Sequence, residues 1–73
     1  MLIGERVEAL RVARGISRKE LSQLSGIDKA HVYMIETGKR QKIYLETAFR
    51  LAKALGVTLD ELIGDFEFNE SRL

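Results

Sequence analysis

The stretch SRKELSQLSGIDKAHVYMIE, residues 17–36, decides how this sequence folds. Ser17 and Glu20 have the spacing of a capping box, in which each side chain satisfies the other residue's free amide. That opens a short helix from about Arg18 to Ser25, with Leu21 and Leu24 among its apolar residues. Gly26 follows, where the chain needs a positive φ to turn sharply. Asp28 then caps a second short helix and sets its carboxylate against the positive end of the helix dipole. This helix runs to about Thr37 and turns Val32 and Ile35 inward. Ser22 is small where the two helices would cross, and Ile27, Val32 and Ile35 anchor the second helix on the remainder. The local reading is two short helices locked at a steep angle.

The pattern extends outward in both directions. Upstream, Ile3, Val7, Leu10 and Ala13 step along one face of a helix over roughly residues 2–14. Downstream, Leu45, Ala48, Phe49, Ala52 and Leu55 form the apolar stripe of a helix over about 45–55. Thr58 and Glu61 form a second capping box, opening a fifth helix that holds Leu59, Leu62 and Ile63. Gly15, Gly26, Gly38, Gly56 and Gly64 each follow an apolar-periodic stretch and so divide the chain. In the last segment, DFEFNESRL (65–73), Phe66 and Phe68 alternate with acids at a strand-like period, but the stretch is too short for a sheet. The expected fold is all-α: a compact five-helix domain over 1–64, with the helix pair at about 17–37, and a C-terminal tail at 65–73.

Composition narrows the function classes. A chain of 73 residues makes one small domain. Having no cysteine and a single histidine, it has neither a disulfide framework nor a zinc cluster, so no metal or other cofactor is expected. It also lacks a glycine-rich phosphate loop and the size for a substrate pocket, so an enzyme is not expected. No segment approaches the ~20 apolar residues of a membrane span. The N-terminus MLIGERVEAL carries acids and no apolar core of a signal peptide. A cytoplasmic protein without membrane contact is the expectation. The net charge of +1 divides unevenly: residues 1–56 carry eleven Lys/Arg against six Asp/Glu, and residues 57–73 carry one against five. The balances are +5 and −4, so one end suits a polyanion and the other does not.

Two short helices locked by a glycine turn are a helix-turn-helix. That geometry lets the second helix enter a DNA major groove while the first braces across the backbone. The phrases RVARGISRKELSQLSGI, MIETGKR and LETAFRLAKALGVTLDELIG fall within residues 11–64, and the likeness they carry extends over 3–64. Through them the chain resembles the phage-repressor/Cro-type helix-turn-helix domain, the lambda-repressor-like family. The resemblance implies five helices, sequence-specific binding of double-stranded DNA through the third helix, and frequent dimerisation.

Residue roles follow from that resemblance. Lys29 and Ala30 take the first base-facing positions of the recognition helix and Met34 a later one, with Tyr33 beside them. Lys29 suits a guanine edge, and Ala30 and Met34 suit thymine methyls. The competing role for Met34 is filling a gap in the core; His31 is expected to be half-buried rather than a contact. Phosphate contacts fall on Arg18, Lys19 and Gln23 before the turn, and on Thr37, Lys39 and Arg40 after the recognition helix. Arg11 and Glu36 are implied to form a structural ion pair. The segment QKIY departs from the family, being one residue longer and without a proline, and Tyr44 stands where a capping Ser or Thr is usual. No contacts are carried over to Gln41, Lys42 or Tyr44.

The leading expectation is a transcriptional regulator, a repressor acting as a homodimer on a two-fold operator, with occupancy set by its own concentration or a partner. Dimerisation is expected from Leu59, Leu62, Ile63, Phe66 and Phe68, because the acidic end faces away from DNA; the competing role for Phe66 and Phe68 is to fold back and complete the core of their own domain. One alternative is an antitoxin or controller protein whose aromatic tail docks a protein partner. Another is a helix-turn-helix module used only for protein–protein interaction.

Overall fold

The computed structural model describes residues 3–40 and 42–63. Along the chain come α1 (Ile3–Ala13), α2 (Arg18–Ser25), α3 (Lys29–Glu36), α4 (Leu45–Leu55) and α5 (Leu59–Ile63). There is no strand among the described residues, so the all-α expectation holds. Gln41 and the segment 64–73, with Phe66 and Phe68, lie outside the described residues.

The helix boundaries follow from local chemistry. Ser17 Oγ accepts the Glu20 N–H at 3.0 Å, and Glu20 Oε1 accepts the Ser17 N–H at 2.8 Å. Thr58 and Glu61 repeat this box at the start of α5, with the same two distances. The Thr58 backbone N–H holds the Glu61 carboxyl below its ordinary range. That cap therefore contributes above the ordinary carboxylate range and is lost as pH falls through the lowered value. Asp28 Oδ2 accepts the Ala30 N–H at 3.1 Å and caps α3. Tyr44 precedes α4 with no side-chain cap bond, as its phenol cannot reach the first-turn amides.

The turn between α2 and α3 is tied by hydroxyls. Gly26 has φ +73° and donates its N–H to Ser22 O. Ser22 Oγ donates to Ile27 O at 2.6 Å, and Ser25 Oγ accepts the Ile27 N–H at 3.2 Å. Ser22 thus fastens the turn as well as giving room at it.

The core comprises Val7, Leu21, Ile27, Val32, Ile35, Ala48, Leu51, Ala52, Leu55 and Leu62. Four of the expected apolar positions are exposed instead. Leu24, Leu45 and Phe49 are 62%, 67% and 51% exposed, and Ala13, in the last turn of α1, is exposed. The reason in α4 is rotational. It packs against α1, α2 and α5 through Ala48, Leu51, Ala52 and Leu55, which leaves Leu45 and Phe49 on the flank. Lys53 covers the Phe49 ring from 5.6 Å. Two further contacts join the ends of the chain. Arg6 forks the Glu61 carbonyl with Nε at 3.0 Å and Nη2 at 2.8 Å, satisfying an acceptor that the last turn of α5 leaves open.

At Gly4, α1 meets the backbone of α3 directly. A Cβ built there would land inside the Ile35 carbonyl. In an open helix, Gly→Ala stabilises by about 0.5–1 kcal/mol. Here Gly4→Ala should have the opposite sign and cost about 1–3 kcal/mol through overpacking against backbone. Thermal or urea unfolding checks this; an increase in stability would mean that the helices do not meet at Gly4.

Candidate nucleic-acid interface

The last residue of α3, Glu36, carries a side chain with 0% exposure. Arg11 of α1 reaches it with Nε at 2.7 Å from Oε2 and Nη2 at 3.2 Å from Oε1. Arg18 of α2 reaches it too, with Nε at 2.7 Å from Oε1. Arg11 Nη1 also donates to Ile16 O at 2.9 Å, joining the α1–α2 connection to the same cluster. One buried carboxylate therefore holds three helices. Burying an ion pair is tolerable only when every donor and acceptor is satisfied. No buried side-chain nitrogen or oxygen among the described residues lacks a partner.

Arg18 has a second environment. Its Nη2 is 3.6 Å from Glu8 Oε2, and its guanidinium carbon lies 5.1 Å from the centre of the Tyr33 ring. The Glu36 hydrogen bond raises its pKa above the ordinary arginine value.

The outer face of α3 is set by this clamp. Lys29 and Ala30 are exposed in its first turn, Tyr33 is exposed, and Met34 and His31 are half-buried. At the far end, Thr37 Oγ1 donates to Tyr33 O at 2.9 Å, and Arg40 N–H donates to Met34 O at 3.0 Å. The chain bends back through Gly38, at φ +81°. Lys39 Nζ comes within 5.9 Å of the Tyr33 ring centre.

The residues expected at phosphates thus separate into two sets. Lys19, Gln23, Lys39 and Arg40 are exposed. Arg18 is drawn inward onto Glu36, and the Thr37 hydroxyl proton is committed to the end of α3. Of the residues expected at a dimer surface, Leu62 is corrected: at 0% exposure it is core and has no surface to offer. Leu59 and Ile63 are half-buried, and Phe66 and Phe68 lie outside the described residues. Sequence reasoning missed the Arg18–Glu36 and Arg18–Tyr33 contacts, which span 18 and 15 positions and leave no periodic signal. It also missed Gly4, whose lack of a Cβ lets two backbones approach closely.

This arrangement can be set beside known proteins. A helix-turn-helix family model matches residues 7–62. The chain belongs to the helix-turn-helix family. It is 32% identical over 62 residues to an uncharacterised HTH-type transcriptional regulator, y4dJ, of Sinorhizobium fredii, covering 85% of this chain and 79% of that one. It is 38% identical to the restriction-modification controller protein C.AhdI of Aeromonas hydrophila, with a TM-score of 0.78, covering 82% of this chain and 89% of the controller. A third similarity, 30% over 61 residues and 84% of this chain, is to a glutamine–fructose-6-phosphate aminotransferase of Methanocaldococcus jannaschii. There the chain spans 6% of the relative's length.

The clamp makes a stability prediction for this helix-turn-helix chain. Glu36→Ala strands two guanidiniums and should cost about 3–5 kcal/mol. Arg18→Ala should cost less than Arg11→Ala, because the Arg18 side chain is 32% exposed and that of Arg11 12%. Urea unfolding of the three variants measures the order. Near-wild-type stability of Glu36→Ala would show that the clamp contributes little.

Proposed function

We propose that this DNA-binding transcriptional regulator is a cytoplasmic repressor that lays the outer face of α3 in the major groove of a two-fold operator. Lys29, Ala30, Tyr33 and Met34 meet base edges, and Lys19, Gln23, Lys39 and Arg40 meet phosphates on either side. The supporting observation is the exposed face of α3, held by a buried carboxylate, with exposed Lys19 on the preceding helix and exposed Lys39 and Arg40 just after it in the chain. The uneven charge agrees: the polyanion meets the +5 part of the chain, and the −4 part turns away. No helix among the described residues is long and apolar enough to cross a membrane.

A second reading is favoured by the likeness to a restriction-modification controller protein. In it the same DNA-reading face serves as the control element of a neighbouring gene set, and the acidic aromatic tail takes a protein partner. A use confined to protein–protein contact is separated from both by the absence of salt-dependent, sequence-selective DNA binding.

Two sets of measurements test the reading. Lys29→Ala should lose about 1–3 kcal/mol at its cognate base pair and relax preference there. Arg40→Ala should weaken binding on all sequences and reduce the salt slope by about one unit. Equal losses by both variants on selected and random duplexes would remove Lys29 from readout.

The dimer contact falls on Leu59, Ile63, Phe66 and Phe68. Burying each phenyl ring is worth about 1.5–3 kcal/mol. An isologous contact there would space two recognition helices by about 34 Å, one turn of duplex. A chain ending at Gly64, and the Phe66→Ala/Phe68→Ala variant, should be monomeric in sedimentation equilibrium and bind two half-sites without cooperativity. Retained dimers in both would put the interface elsewhere.

A further inference from the structure

Tyr33 stands on the outer side of α3, where an exposed phenol ordinarily samples several rotamers. Here two cations lie against its ring, the Arg18 guanidinium carbon at 5.1 Å and the Lys39 ammonium at 5.9 Å from its centre. Both distances are within the range at which a ring quadrupole attracts a cation. The two cations are not equivalent. Lys39 is an exposed side chain beyond the helix end. Arg18 is tied by Nε, at 2.7 Å, to a carboxylate that is wholly buried and also held by Arg11. A charge-assisted bond to a fixed acceptor orients the guanidinium plane. An unbroken chain of contacts therefore runs from the core carboxylate, through Arg18, to an aromatic ring on the outer face of α3.

We propose that Arg18 is a positioning residue for base recognition: anchored on Glu36, it holds the Tyr33 ring in one orientation and makes Tyr33 a determinant of sequence preference. This rests on the reading of α3 as the helix that meets DNA. It differs from a phosphate role in what it controls. A phosphate contact adds affinity on every sequence and contributes to the salt dependence. A positioning contact orders the phenol before binding, so it governs which base pair is preferred at one step.

Arg18→Lys separates the two roles. Lysine keeps a positive charge within reach of the backbone, but it lacks the Nε donor and the flat face that stacks on the ring. The intact chain, Arg18→Lys, Tyr33→Leu and the double variant are first checked for helical content by circular dichroism. Their preferred sites are then selected from a random duplex pool, and affinities for selected and random duplexes are measured across a salt series. Arg18→Lys and Tyr33→Leu should lose preference at the same base pair by about tenfold, the order expected of a single base contact. The double variant should lose no more than either single one, and the salt slope of Arg18→Lys should match that of the intact chain. Retained preference in Arg18→Lys, or losses that multiply in the double variant, would overturn the inference and leave the reading of α3 intact. If the intact chain selects no sequence, both fall together. A measurement without DNA guards against a variant that unfolds: ring-current shifts of the Arg18 side-chain protons should be present in the intact chain and vanish in Tyr33→Leu. Unshifted Arg18 protons in the intact chain would overturn the contact itself.

Discussion

The structure depends on one carboxylate. Glu36 ends α3, faces inward, and receives Arg11 from α1 and Arg18 from α2. An ionised carboxylate out of water is costly unless its oxygens are fully engaged. That cost makes the arrangement directional: the three helices reach their native angles or the charge is left unpaired. Apolar packing tolerates small rotations of one helix against another. A pair of guanidinium bonds to a fixed carboxylate does not, because hydrogen bonds weaken steeply with angle. The clamp therefore adds orientation to a core that already supplies attraction.

Orientation matters because the helices are short. At eight residues each, α2 and α3 are below the length at which an isolated helix persists in water. Their caps offset some of that deficit, and packing supplies the rest. Gly4 lets α1 approach the Ile35 carbonyl closely, so α3 is pressed from the core side while Glu36 is held at its end. Ser22 and Ser25 hold the Ile27 backbone at the turn. A helix so fixed holds its exposed residues Lys29, Ala30 and Tyr33 on a backbone that is already ordered.

Charge is distributed in keeping with this. Lys39 and Arg40 are exposed just after α3, while the acids of the box-capped α5 and the tail lie at the other end of the sequence. Arg18 belongs to neither surface. It pairs with Glu36 and Glu8 and lies by Tyr33, so its charge is balanced locally.

Much of the fold was legible in the residues alone, and for a local reason. Capping boxes, the Asp28 cap and glycine stops act over three or four positions, so they mark where α2, α3 and α5 begin and where α4 ends. Apolar periodicity likewise identifies Val7, Leu21, Val32, Ile35, Ala52 and Leu55 as core. What it cannot decide is which side of a broad apolar stripe faces in. The stripe read from the sequence takes in Leu45 and Phe49 and leaves out Leu51; α1, α2 and α5 close on α4 from the other side and bury Leu51 instead. The outward positions of α3, Lys29, Ala30 and Tyr33, are legible because they are residues left over once Val32 and Ile35 turn inward. The destination of Arg18 is not, because a charged side chain at a helix start looks the same whether it meets a phosphate or a buried acid. Only the folded chain brings Glu36 within 2.7 Å of it, across 18 positions that carry no periodic trace of the contact.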